Sequence, residues 1–75
     1  MSAALRATAP IVATIWKLEV GVGDSVGAGQ CLALLESMKM EIPVAAPVAG
    51  VVTELPAAIG QIVQEGEPVA VITPS

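Results

Sequence analysis

Shifted by 37 positions, the chain matches itself without a gap. Ala9-Pro10 falls on Ala46-Pro47, Ile15 on Val52, Leu18 on Leu55, Gly23 on Gly60, Val26 on Val63 and Gly29 on Gly66. Leu32, Leu34 and Leu35 meet Val69, Val71 and Ile72. Apolar positions land on apolar positions and glycines on glycines, so one structural unit is used twice. The halves occupy about residues 9–37 and 46–74 of a domain expected to span 1–75, since 75 residues leave no room for a second core.

Each unit reads as short strands between turns. The first strand follows the Ala-Pro pair and runs through Ile15 and Leu18, or Val52 and Leu55. Its apolar spacing is three rather than two, which predicts a β-bulge. Gly23-Asp24 and Gly60-Gln61 supply a turn, because glycine takes positive φ at little steric cost. A short strand through Val26 or Val63 follows, then a second turn at Gly29 or Gly66. In the last strand Leu32 and Leu34, like Val69 and Val71, alternate with period two, which predicts one buried face. Neither unit can bury an apolar face alone. Two one-sided sheets packed face to face about a pseudo-twofold axis solve that problem, giving an all-β, flattened antiparallel barrel or sandwich.

Composition supports an all-β core and narrows the function. The chain has no Phe, Tyr or His and one Trp, so its core comes from Val, Ile, Leu and Ala. Seven Gly and six Pro interrupt any helical pattern. Cys31 is the only cysteine, so neither an internal disulfide nor a zinc site can be built. Three basic residues and a net charge of −4 exclude a nucleic-acid binder. No apolar run reaches the ~18 residues of a membrane-spanning helix. Met1 to Trp16 has some features of a signal peptide, but Pro10 to Leu18 is matched later in the repeat. A cytoplasmic location is expected, and the unpaired Cys31 suits a reducing compartment.

Met38-Lys39-Met40-Glu41-Ile42-Pro43-Val44-Ala45 joins the halves and is not explained by the repeat. Alternation up to Leu35 and again from Ile42 predicts a hairpin with its tip at Met38-Lys39. Tight hairpin turns of type I′ need positive φ at both central residues and favour Asn-Gly or Asp-Gly. Met-Lys is a poor choice for stability, and such departures mark functional positions. Lys39, one of two lysines, ends in an amine that is nucleophilic once deprotonated. Met38 and Met40 are flexible apolar side chains that adapt to a partner surface, and Glu36 and Glu41 flank them with negative charge. A solvated lysine in a turn would not account for the Met-Lys-Met triplet, its place at the junction and its flanking acids together.

These residues resemble the biotinyl/lipoyl attachment domain family, in its biotin carboxyl carrier branch. The hallmark of that branch is Met-Lys-Met preceded by a small residue and an acid, present here as Glu36-Ser37-Met38-Lys39-Met40. The resemblance covers residues 9–73 and includes Gly23-Asp24, Gly29-Gln30, Ala46-Pro47, Gly50 and Gly66-Glu67. It implies a flattened eight-stranded barrel of two four-stranded sheets. It also implies covalent attachment of biotin to Lys39 by a biotin protein ligase, with Glu36, Ser37, Met38, Met40 and Glu41 read by ligase or partner. Gly23, Gly29, Gly50, Gly60 and Gly66 would serve the turns. The arm would carry carboxyl groups between a biotin carboxylase and a carboxyltransferase, the carrier itself being a non-catalytic monomer. Members usually have Gly where this chain has Ala13, many have Glu where it has Val22, and Ser37 replaces a commoner Ala. The gapless repeat leaves no room for the thumb-like insertion found in some acetyl-CoA carboxylase carriers.

Two other readings share these observations. A lipoyl carrier would have the same fold, but lipoyl domains place Asp before the lysine and a small apolar residue after it, unlike Met38 and Met40. A docking module without a cofactor would leave Lys39 unmodified.

Overall fold

The computed structural model describes residues 4–75; Met1 to Ala3, the first residues of the expected 1–75 span, lie outside the described residues. Eight strands follow one another: β1 (Leu5–Thr8), β2 (Ala13–Leu18), β3 (Ser25–Val26), β4 (Cys31–Ser37), β5 (Met40–Ala45), β6 (Gly50–Glu54), β7 (Ile62–Val63) and β8 (Pro68–Pro74). They form two antiparallel four-stranded sheets, in the orders β1-β8-β6-β3 and β5-β4-β2-β7. The eight-stranded, two-sheet architecture is as expected. A shift of four strands turns one order into the other, which is the pseudo-twofold symmetry.

The symmetry is built differently from two self-contained units. With β1 and β5 counted into the halves they precede, each sheet draws two strands from each half, so the halves interleave instead of packing one sheet against the other. The same shift also relates β1 to β5: Leu5, Arg6, Ala7 and Thr8 pair with β8 as Ile42, Pro43, Val44 and Ala45 pair with β4. Part of the junction therefore belongs to the repeated pattern, and only the turn at Met38-Lys39 stands outside it.

The predicted bulge is present in both halves. The register of β2 on β4 skips Trp16, and that of β6 on β8 skips Thr53. A second bulge, unforeseen, skips Leu32 in β4 and Val69 in β8. It overturns the expected alternation. Leu32 and Leu35 are fully buried while Leu34 is only partly so, because an unpaired residue flips every later side chain by one position.

Each turn is tied to the opposite half. The Gly23 N–H donates to the Val52 carbonyl at 2.8 Å, and the Gly60 N–H donates to the Ile15 carbonyl at 2.8 Å. These glycines have φ of 97° and 90°, the left-handed region that side chains resist. Asp24 Oδ2 accepts the Gly21 N–H at 2.8 Å, and Gln61 Oε1 accepts the Ala58 N–H at 3.0 Å in the matching place. One bond lacks a twin because of a proline. Glu19 N–H donates to the Leu32 carbonyl at 2.9 Å, whereas its counterpart Pro56 has no N–H to give.

The core follows the repeat residue by residue. Ile15 and Val52, Val26 and Val63, Leu32 and Val69, Leu35 and Ile72 are buried as matched pairs, with Ala7, Ala9, Ala33, Val44, Ala46 and Ala70 between them. Among the described residues no polar or charged side chain is buried. Each of the large aliphatic side chains contributes about 1.5–3 kcal/mol by leaving water. The core thus consists of Val, Ile, Leu and Ala, as the composition required.

Candidate functional site

β4 and β5 form a hairpin whose register runs Leu35 with Ile42, Glu36 with Glu41 and Ser37 with Met40. Two residues remain for the turn, Met38 with φ 52° and Lys39 with φ 67°. They are the only non-glycine residues with positive φ among those described. Both central residues are left-handed, as a type I′ turn requires, and its twist matches that of the strands it joins. Each such residue costs roughly 1–2 kcal/mol relative to the right-handed region. Met-Lys was expected to be a poor turn, and the backbone takes the conformation that makes it poor.

The hairpin is firmly held at its base and open at its tip. Leu35 has no solvent exposure and anchors β4 in the core, with Ile42 packed against the same cluster from β5. The repeat match of Leu35 with Ile72 marks it only as apolar; the hairpin's dependence on it comes from the structure. Ser37 is half-buried, while Glu36, Lys39 and Glu41 are exposed. Met38 is 93% exposed and Met40 61% exposed, values that leave both thioethers free for another surface. The only salt bridge among the described residues joins Lys17 Nζ to Glu19 Oε1 at 3.3 Å, so Lys39 Nζ is held by no carboxylate there.

The glycines divide into two kinds. Gly23, Gly29, Gly60 and Gly66 sit at turns with φ between 85° and 97°. Gly50, grouped with them from sequence, is instead the first residue of β6 and is buried. A Cβ there would overlap the Thr73 carbonyl oxygen and stand 2.8 Å from its carbonyl carbon and 3.0 Å from Ile72 Cγ2. Gly50 is needed for close strand approach. Cys31 opens β4, with its thiol 3.4 Å from the Ala33 carbonyl, and Trp16 is a half-exposed bulge residue.

The described residues enclose no pocket. A compact barrel holding one unpaired lysine out on a strained turn defines a carrier class of domain, in which a side chain is presented to other proteins. Residues 6–72 match the biotin/lipoyl family model described as biotin-requiring enzyme. The chain belongs to that family, and to its biotin carrier domains. It is 49% identical over 65 residues to the biotinylated protein TB7.3 homolog of Mycobacterium leprae, covering 87% of this chain and 92% of that protein. It is 44% identical over 66 residues to the biotin carboxyl carrier protein of Streptococcus mutans, covering 88% of this chain and 51% of the other. The crystal structure of Kluyveromyces lactis urea carboxylase contains the same fold, with a TM-score of 0.88 and 34% identity. That likeness covers 93% of this chain and 6% of the much longer carboxylase chain.

Proposed function

We propose that Lys39 is the residue that receives biotin, and that the whole chain works as one biotin carrier unit for a biotin-dependent carboxylase. The single observation that supports this most is the Met38–Lys39 turn. Its strained backbone exposes an amine with no carboxylate partner, between two exposed methionines, on a hairpin anchored below by Leu35. An amine so placed can enter another protein's active site without moving the barrel.

In the modification step Lys39 Nζ attacks the acyl carbon of an activated form of biotin supplied by a biotin protein ligase. The C–N amide bond forms, the bond from that carbon to the activating group breaks, and the amine releases a proton. Met38 and Met40 supply adaptable apolar contacts to the ligase, and Glu36 and Glu41 supply charge beside them. Ser37, small and half-buried, keeps the approach clear. The bound group supplies the chemistry of carrying a carboxyl, and this chain supplies presentation. A tethered arm works at high effective concentration at a biotin carboxylase and then at a carboxyltransferase without tight binding to either. The likeness to a domain of the Kluyveromyces lactis urea carboxylase supports a place in a carboxylase. The carrier acts as a non-catalytic monomer, and its free Cys31 suits a cytoplasmic setting. Among the described residues no helix is long and apolar enough to cross a membrane.

The test is the intact mass after incubation with a biotin ligase, ATP and biotin, run beside a Lys39→Arg variant. One biotinyl amide on the parent and none on the variant is the expected result. An unmodified parent chain would refute the reading, and lipoyl ligase would then be the next enzyme to try.

A further inference from the structure

Beside the lysine turn the two halves differ in pairing. In the second half Gly50 pairs with Pro74, and beyond it the Ser75 N–H donates to the Ala49 carbonyl at 3.3 Å. At the matching place in the first half neither contact forms. Pairing of β2 with β4 starts one residue later, at Thr14 with Glu36. Met38, the counterpart of Ser75, makes no backbone hydrogen bond to Val12. The other face of β2 is unaffected, because Ala13 pairs with Val63 just as Gly50 pairs with Val26.

The difference falls on one methyl group. A Cβ at Gly50 would collide with the Thr73 backbone, so β6 and β8 close together only because none is there. Ala13 occupies the equivalent position and carries that Cβ, and Glu36 is the counterpart of Thr73. With the methyl present, the end of β4 cannot come as near to β2. Ser37, the last strand residue before the turn, is then held by β5 alone through its pairing with Met40, whereas Glu36 is paired with both Thr14 and Glu41.

We propose that Ala13 is a positioning residue whose side chain releases the lysine hairpin from β2, so that the tip can adjust to the enzyme that modifies it. The proposal rests on Lys39 being the attachment residue, although the structural half of it does not. A tip fastened on both sides must deform to reach a reactive geometry, while one fastened on a single side moves into it.

Residue-resolved amide exchange on the unmodified chain, parent against Ala13→Gly, tests the structural half. In the variant the Met38 N–H gains the Val12 carbonyl, and its exchange slows about fivefold relative to the Leu35 amide, which reports wider opening. An unchanged ratio overturns the proposal, because the turn and not the methyl would then break the pairing. A time course with ligase, ATP and biotin tests the other half. The variant is expected to reach the same single addition about threefold more slowly at limiting carrier. Slower exchange with an unaltered transfer rate overturns the role in presentation. A parent chain that takes no biotin would refute the attachment reading while leaving the exchange result standing.

Discussion

Glu36 and Glu41 stand directly opposite each other on β4 and β5, the second residue pair below the Met38–Lys39 turn. Both are exposed, and like charges facing each other across two strands oppose the pairing. Replacing Glu36 with Gln should therefore stabilise the fold by about 0.5 kcal/mol, seen as a higher urea midpoint at unchanged slope. The same variant should accept biotin more slowly, since one of the two carboxylates offered to the ligase is gone. Unaltered transfer would remove Glu36 from recognition.

The turn gives a second opposition between stability and use. Converting Met38-Lys39 to Asn-Gly relieves two left-handed residues and should add about 1–2 kcal/mol to stability. It also removes the amine, so no biotin should be taken up. If the denaturation midpoint failed to rise, the turn would not be strained as its φ values imply.

Glycines that look alike in the sequence should respond differently to the same substitution. Gly50→Ala forces a Cβ against Thr73 and should cost about 1–3 kcal/mol. Gly27 has open space where a Cβ would go and no positive φ. There Ala should be neutral or stabilise by about 0.4–1 kcal/mol through the unfolded chain. Thermal unfolding of the two variants side by side decides the matter, and equal losses would contradict the geometry.

Adjacent leucines on β4 give the fourth contrast. Leu35 is fully buried and Leu34 only partly. Leu35→Ala should cost about 2–5 kcal/mol, as for other buried leucines, and Leu34→Ala clearly less. A larger loss at Leu34 would restore the simple alternation and remove the bulge at Leu32.

Much of this arrangement is legible without coordinates, and each illegible part has a physical reason. The 37-residue repeat locates both glycine turns, and the three-residue step from Ile15 to Leu18 announces a bulge, which the structure puts at Trp16. The Met-Lys tip is readable because it breaks the rule for type I′ turns. The bulge at Leu32 is hidden because Leu32, Ala33, Leu34 and Leu35 are all apolar, so no polar residue marks where the phase slips. The kinship of β1 with β5 is hidden because Leu5-Arg6-Ala7-Thr8 and Ile42-Pro43-Val44-Ala45 share no residue in register. The mixing of halves within each sheet is a choice between hydrogen-bond partners, and periodicity carries no information on that. Ala13 looked like a minor departure from the family. Its consequence is visible only beside Gly50.

β1 has a single neighbour, β8, and Leu5 lies opposite Ile72. Of these eight strands, the first in the chain must therefore wait for the last. Contacts this remote in sequence make closure slow and all-or-none, since a long loop is ordered before any of its pairing is gained. The lysine turn, made midway, has only part of its supporting sheet until Ile62 and Val63 arrive to flank β2. The support of the lysine turn is therefore complete only when the last strands of the second half have joined both sheets.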